Sequence, residues 1–264
     1  MTLLSSLLLI GLGLFVGGFG TLIGAGGGFI LVPVLLIVYP DANPEIITSI
    51  SLAVVFLNAS SGSVAYARMK RIDYKSAIIF AAATLPGAVI GAFSTGYIPR
   101  HVFDIVLAII LFIIAGFLLL RPQQTIGVTG KKKKGHVHRV LVEKNGEEHH
   151  YSFNQLTGII LSFFVGFISS LLGIGGGIIH VPALTALLNF PIHIATATSH
   201  FILAFMALAG TIVHIIQGNF KEGWLPTLLI GAGVIIGAQF GARLSDRIKG
   251  PLIVRALAIA LLLV

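Results

Sequence analysis

Eight long apolar runs divide the sequence into two sets of four, and one polar stretch separates the sets. Each run is as long as a membrane-crossing helix or close to it. The first set covers residues 3–39, 46–67, 76–98 and 101–120, and the second covers 154–188, 192–217, 224–242 and 251–264. This pattern predicts an all-α polytopic membrane protein. The apolar start, residues 3–23, lacks the basic segment of a signal peptide, so we expect it to belong to the mature protein.

The composition also indicates that lipid covers most of the surface. Of the 264 residues, 56% are hydrophobic and only 10% are charged. A soluble domain carries roughly a quarter charged residues, because it must be solvated on all sides. The net charge of +8 is concentrated in short loops and in the polar stretch. Membrane orientation explains this distribution better than nucleic-acid binding does, so no nucleic-acid partner is predicted.

A glycine cluster followed by a proline occurs in the first run of each set. Residues 24–33 read GAGGGFILVP and residues 173–182 read GIGGGIIHVP, at a constant offset of 149. At an offset of 148, three more positions match, namely Thr48 with Thr196, Ser51 with Ser199 and Gly62 with Gly210. We interpret the two sets as homologous transmembrane repeats, residues 1–120 and 154–264, joined by a basic linker at 121–153.

The first run of each repeat is too long for one straight crossing. About 35 residues of helix reach roughly 50 Å, whereas the hydrocarbon core of a bilayer is about 30 Å thick. Glycine has a poor helix propensity and adopts left-handed backbone easily, so the clusters are the predicted breaks. The expected fold therefore has eight runs and about ten helical pieces.

Each break starts a new helix, whose free N–H groups and partial positive charge attract anions. We therefore predict an anion site near mid-membrane, between the repeats. Its glycines are Gly24, Gly26, Gly27, Gly28, Gly173, Gly175, Gly176 and Gly177. Close helix packing is the alternative interpretation of these glycines. Packing is the preferred interpretation for Gly87, Gly91, Gly233, Gly237 and Gly241.

Polar residues on the second run of each repeat are expected to complete the site. Their helical spacing places Thr48, Ser51 and Asn58 on one face. The matching face of the second repeat carries Thr196 and Ser199, with His200 beside them. Hydroxyl and amide groups can donate hydrogen bonds to an anion, although interhelical hydrogen bonding explains them equally well. Among the intramembrane histidines His180, His200 and His214, His200 is the best functional candidate.

The paired G-x-G-G-G-x-x-x-V-P motifs, the four-plus-four runs and the polar linker resemble the TauE/SafE family of sulfite and organosulfonate exporters. The resemblance implies a secondary transporter of small sulfur-containing anions (sulfite, thiosulfate or organosulfonate) that works outward across a bacterial or archaeal plasma membrane. It leaves open a coupling proton or sodium ion and a homo-oligomer. The segment GKKKKG lacks the spacing and the Ser/Thr of a nucleotide-binding loop, so no cofactor is predicted.

Two other functions remain as alternatives. An anion channel would replace alternating access by a continuous wetted pore. An intramembrane hydrolase would use Ser199 as nucleophile and His180 or His214 as base. The sequence has neither a G-x-S-x-G nor an H-E-x-x-H motif, so an enzyme is not predicted.

Basic loops predict the orientation of the repeats. The loop 68–75 and the linker are strongly basic, so both are expected on the cytoplasmic side. If each broken run turns back within the membrane, the basic loop 243–250 lies on that side too, and the repeats are inverted. If each broken run crosses once, that loop lies outside. The charge distribution favours inverted repeats.

The linker contains a predicted β-hairpin. Residues 136–153 alternate around Asn145-Gly146, which is typical of a two-residue turn. This pairing would place Val140, Val142, Tyr151 and Phe153 on one face. Its four histidines, His136, His138, His149 and His150, do not converge in that pairing, so no metal site is predicted. The lysines at 131–134 are expected to set topology or to contact anionic lipid.

Overall fold

Ten α-helices, one short 3₁₀ helix (Thr95–Tyr97) and one two-stranded sheet make up the computed structural model, which describes residues 3–120, 136–221, 223–248 and 250–263. The first half contains α1 (Leu3–Leu22), α2 (Gly28–Val38), α3 (Pro44–Arg68), α4 (Tyr74–Ser94) and α5 (Arg100–Leu120). The hairpin consists of β1 (His136–Val142) and β2 (Glu148–Asn154). The second half contains α6 (Gln155–Leu172), α7 (Gly177–Ala186), α8 (Ile192–Ile216), α9 (Trp224–Ser245) and α10 (Gly250–Leu263). The predicted helical pieces are confirmed, and the lysines at 131–134 lie outside the described residues.

Seven helices in the described ranges are long and apolar enough to cross a membrane: α1, α3, α4, α5, α6, α8 and α9. Large apolar side chains remain exposed on their outer faces, for example Phe112, Ile113 and Phe164. A membrane protein places such side chains against lipid. Helices α2 and α7 have only 11 and 10 residues, and each follows a glycine cluster.

Helix pairs join the two halves through glycine contacts. Along α1 and α9, Gly233 contacts Ile10 and Leu14, Gly237 contacts Leu14 and Gly18, and Gly241 contacts Gly18. Along α4 and α6, the backbone of Phe163 lies against Gly87, and that of Phe167 against Gly91. The packing interpretation of these five glycines is therefore confirmed, because a side chain at any of them would collide with the facing backbone.

The same contacts give the directions of the helices. Residue numbers rise together along the α1–α9 and α4–α6 contacts, so both pairs are parallel. Helices α3 and α8 are antiparallel, since Gly62 lies against His200 and Thr48 bonds with His214. Because short connections reverse the chain between α3 and α4 and between α8 and α9, α1 runs opposite to α6. These directions are the ones that inverted repeats require. That the two halves arose from one duplicated unit stays a prediction.

The hairpin confirms the predicted element but not its register. Arg139 pairs with Tyr151, so Val137 and Leu141 share the buried face of Tyr151 and Phe153 and pack against the same core. Val140 and Val142 are exposed, and the predicted face is therefore wrong. A two-residue type I′ turn needs a positive φ at both central residues, but only Gly146 has one (87°). The strands instead close through Glu143 N–H donating to Glu147 O, which shifts the pairing by one residue.

Buried charges attach the hairpin to one end of the bundle. Arg71, between α3 and α4, forms ion pairs with Glu143 at 2.7 Å and with Asp246 at 2.6 Å. The Tyr151 hydroxyl donates to Asp73 at 2.8 Å, and burial together with this carboxylate raises the pKa of Tyr151. The loop after α9 therefore lies at the same end as the hairpin and residues 68–75, as the inverted arrangement requires. The cytoplasmic location of this end remains a prediction.

Candidate functional site

The two glycine breaks meet in the buried interior of the bundle. A Cβ atom added to Gly28 would lie 2.6 Å from the carbonyl of Ile174, in the second break. A Cβ atom added to Gly177 would lie 2.5 Å from the Cα of Ala25, in the first break. Backbone thus packs directly on backbone, and no larger residue fits at either position without movement.

Left-handed backbone confirms that the clusters interrupt the helices. Positive φ angles occur at Gly24 (76°), Gly26 (75°), Gly27 (82°), Gly173 (68°) and Gly175 (73°). Helix α1 ends as the N–H groups of Gly24 and Ala25 donate to Thr21 O and Gly20 O, at 3.0 and 2.8 Å. The next helices start at Gly28 and Gly177, so two helix N-termini lie in the interior. Their first N–H groups have no preceding helical carbonyl to bind.

Each break contacts the long helix of the opposite half. A Cβ atom on Gly24 would lie 2.9 Å from the Cα of Thr196, and one on Gly173 would lie 2.9 Å from the Cα of Thr48. The Ser51 hydroxyl donates to Gly173 O at 2.6 Å, and the Ser199 hydroxyl donates to Gly24 O at 3.5 Å. Helices α3 and α8 therefore hold the two breaks in a crossed arrangement.

All fourteen predicted site residues are buried and lie in or beside the breaks, but they differ in their hydrogen bonds. Asn58 Nδ2 donates to Gly26 O at 2.9 Å. The Thr48 hydroxyl donates to Pro44 O and Glu45 O in its own helix and contacts His214 Nε2 at 3.3 Å. The Thr196 hydroxyl has no hydrogen-bond partner within the described residues. Of the two matched threonines, Thr196 is therefore the one whose hydroxyl is free to bind a ligand.

Sequence analysis missed two members of the polar network at the first break. The Thr21 hydroxyl donates to Asn58 Oδ1 at 2.9 Å and lies 3.2 Å from His200 Nε2. The Tyr66 hydroxyl donates to Thr21 O at 2.7 Å, and its ring meets the His200 ring edge to face at 5.8 Å. The offset of 149 pairs Thr21 with Ser170, and this match of two hydroxyl residues was the available signal.

Other polar atoms near the breaks also lack partners. Across the described residues, the hydroxyls of Ser169 and Ser170 and Nδ1 of His200 are buried without a hydrogen bond. A Cβ atom on Gly176 would lie 3.2 Å from the Met206 sulfur and 3.4 Å from Ser169 Oγ. A buried polar group without a partner costs about 1–3 kcal/mol. These atoms are therefore the ones best placed to bind a polar ligand.

The histidines proposed as bases in a hydrolase have other partners. His180 Nε2 lies 3.1 Å from Ser162 Oγ, and His214 Nε2 lies 3.3 Å from Thr48 Oγ1. In the described part of the chain, the hydrogen bond of Ser199 goes to Gly24 O. The structure therefore does not assemble the Ser199 nucleophile with either base.

Comparisons with known proteins agree with a transporter. A family model described as Sulfite exporter TauE/SafE matches residues 9–264. The probable membrane transporter protein YunE of Bacillus subtilis is 33% identical over 267 residues, covering 99% of this chain and 96% of its own length. Probable membrane transporter proteins of Methanocaldococcus jannaschii and Xylella fastidiosa are 27% and 29% identical, over 92% and 94% of this chain and 87% and 88% of their own lengths.

No solved structure matches the chain. The relatives are named as transporters, which is consistent with a protein that is not an enzyme. The family match spans nearly the whole chain and both halves of the helix bundle. The chain therefore belongs to the TauE/SafE family of integral membrane transporters.

Proposed function

We propose that this protein exports a small sulfur-containing anion, such as sulfite, thiosulfate or an organosulfonate, and binds it where the two glycine breaks meet. The observation that carries the proposal is the direct contact of the breaks, which brings the N-termini of α2 and α7 into the bundle interior. The family description, sulfite exporter, supports the substrate class and the direction.

The chemistry of the breaks suits an oxyanion that must be released again. Each helix N-terminus carries roughly half a positive charge, and its free N–H groups donate to oxygen atoms. The Thr196 hydroxyl, which has no hydrogen-bond partner among the described residues, and the second amide hydrogen of Asn58 supply further donors. The Ser51 and Ser199 hydroxyls already donate to Gly173 O and Gly24 O, so they hold the breaks in position. Neither break contains Lys or Arg, so no full positive charge there would hold the anion too tightly.

Complete burial of the breaks favours a transporter over a channel. All residues from Gly24 to Gly28 and from Gly173 to Gly177 are buried, and the side chains of Leu203 and Val55 lie against Gly26. An ion cannot pass such a closed contact unless the helices move. This arrangement is typical of an occluded state in alternating access.

Uptake into proteoliposomes tests the proposal. Labelled sulfite, thiosulfate, sulfoacetate and sulfate would be supplied with and without a pH gradient, and preloaded vesicles would report efflux. We expect saturable flux and exchange for at least one sulfur anion. Flux that rises linearly without exchange would support a channel instead, and flux equal to that of empty liposomes for every anion would refute the proposal.

Serine variants locate the site in the same assay. Ser51→Ala and Ser199→Ala each remove a hydroxyl that donates to a carbonyl of a break and so loosen the break, and we expect a several-fold higher KM with only a modest change in the maximal rate. If the protein hydrolyses a substrate and Ser199→Ala abolishes that hydrolysis completely, the hydrolase alternative is favoured. Ser94→Ala is the matched control, because the Ser94 hydroxyl donates to Ile90 O within its own helix. An unchanged KM in both site variants would contradict the proposed position.

A further inference from the structure

We propose that Nδ1 of His200 binds the proton that accompanies each transported anion. This inference rests on the proposed function and assigns a coupling ion to the same site. It depends on a chain of hydrogen bonds that fixes which nitrogen of His200 carries hydrogen, and on the absence of a partner for the other nitrogen among the described residues.

The chain of hydrogen bonds starts at a backbone carbonyl. Gly26 O can only accept, so the Asn58 atom 2.9 Å away must be its amide nitrogen. Asn58 Oδ1 then faces Thr21 Oγ1 at 2.9 Å and must accept the hydroxyl hydrogen. With its hydrogen used, Thr21 Oγ1 can only accept from His200 Nε2 at 3.2 Å. Neutral His200 therefore carries hydrogen on Nε2, and Nδ1 is a bare acceptor.

The bare Nδ1 lies in an uncharged environment. From α3, the titratable group that faces the ring is Tyr66, and beyond Tyr66 lie Arg71 and Asp246 at the end of the bundle. The other neighbours are the Thr21 hydroxyl from α1, the Gly24 backbone from the first break and the Asn58 backbone from α3, and none of them carries a charge. On α8 itself, no Asp, Glu, Lys or Arg occurs. No carboxylate in these elements is placed to share a proton with His200.

This environment links the proton to the anion. A buried imidazolium without a counter-ion is strongly unfavourable. An anion at the adjacent break supplies the missing negative charge, so each ligand strengthens the binding of the other, and the coupling is reciprocal. The N–H bond at Nδ1 forms when the anion binds and breaks when both leave. A monovalent anion then crosses with one proton and no net charge, and a divalent anion such as thiosulfate crosses with one net negative charge.

Calorimetry on the wild-type protein tests the linkage without any variant. Thiosulfate and sulfoacetate stay unprotonated near neutral pH, so either can be titrated into the detergent-solubilised protein in buffers with different ionisation enthalpies. The slope of the observed binding enthalpy against the ionisation enthalpy of the buffer gives the number of protons taken up for each anion bound. We expect uptake of about one proton for each anion bound, as reciprocal linkage requires. Binding without proton uptake would overturn this inference while leaving the proposed function intact. If only sulfite is transported, the same titration is made with sulfite, and the protons that sulfite itself binds or releases are subtracted. Absence of binding and of transport for all three anions would overturn both proposals.

A variant then tests whether His200 is the residue that binds the proton. His200→Gln keeps an amide donor for Thr21 but has no titratable group, so we expect loss of proton uptake and a flat pH profile of anion flux. His180→Gln is the matched control, a buried histidine whose Nε2 already faces Ser162, and it should retain proton uptake. Unchanged proton uptake in His200→Gln would assign the proton to another group. If His200→Gln does not fold, the measurement on the wild-type protein still decides whether a proton is taken up with the anion.

Discussion

The two glycine breaks have similar backbones, apart from Gly27 (φ 82°) and its match Gly176 (φ −64°), and differ more in the side chains around them. Gly24 lies against Thr196 just as Gly173 lies against Thr48. Beside the first break, Gly62 lies against His200, and beside the second, Gly210 lies against Leu52. His200 and Leu52 occupy matching positions at the offset of 148. The same contact is therefore made once by a titratable ring and once by an apolar side chain.

Hydrogen bonding separates the breaks further. The first break has a continuous network that runs from Tyr66 through Thr21 to Asn58 and Gly26. At the second break, the residue that matches Asn58 is Met206, and the one that matches Thr21 is Ser170, whose hydroxyl has no partner in the described chain. The fold thus needs small residues and left-handed turns twice. It needs the polar network only once.

The largest expected effect comes from substitutions that test what the breaks have in common. Gly26→Leu and Gly175→Leu each force a side chain onto left-handed backbone, which costs roughly 1–2 kcal/mol. They also push into Leu203 and Val55 at the first break or Ala25 and Val55 at the second. We expect both variants to lose most anion transport in proteoliposomes while still unfolding cooperatively in detergent.

Two glycines that do not pack against another helix supply the control for Gly26→Leu and Gly175→Leu. Gly11→Leu in α1 and Gly116→Leu in α5 place a Cβ atom where nothing lies within 4 Å, so transport should persist. If Gly26→Leu and Gly175→Leu instead reduce the yield of folded protein as much as they reduce transport, the glycines serve packing alone. A defect in only one of the two would show that the two breaks do not contribute equally to transport.

A smaller effect is expected from changes that test the difference between the breaks. Asn58→Met gives the first break the side chain of the second and leaves Gly26 O without its donor. Leaving a buried acceptor unsatisfied costs about 1–3 kcal/mol. Met206→Leu conserves volume and should cost less than about 1.5 kcal/mol. Thermal unfolding in detergent and the KM for the anion would measure both. Equal losses of stability would contradict the assignment of the polar network to the first break.

The glycine breaks could be predicted from sequence because three consecutive glycines in an apolar run allow few structures. An uninterrupted helix there would be both too long and too weak, so the breaks at Gly24 and Gly173 followed from length and propensity. Thr21 and Tyr66 could not be found in this way. Their hydrogen bond joins residues 45 positions apart, and neither shows a periodic pattern that reveals its partner.

The predicted register of the hairpin was wrong because the turn sequence allows two loop lengths. The dipeptide Asn145-Gly146 is compatible with both a two-residue turn and a longer loop, and the choice depends on the φ angle of Asn145. That angle is negative in the folded chain, where Tyr151 and Phe153 pack against Phe190. Tyr151 and Phe153 share a face in either register, so their burial alone does not select one. The observed register places Val137 and Leu141 beside them and Glu143 against Arg71, and these tertiary contacts, rather than the turn sequence, decide which face of β1 is buried.

The smallest expected effect belongs to the second break, and it contrasts with the effect of the matched substitution at the first. Thr21→Val removes the donor to Asn58 and the acceptor of His200, so it should lower the free energy of unfolding by about 1–3 kcal/mol. Ser170→Ala removes a buried hydroxyl that has no partner in the described chain, so it should leave stability unchanged or raise it slightly. Thermal unfolding in detergent, without added anion, measures both. If Ser170→Ala destabilises the protein as much as Thr21→Val does, the second break holds a polar network of its own, and the difference between the halves lies only in His200.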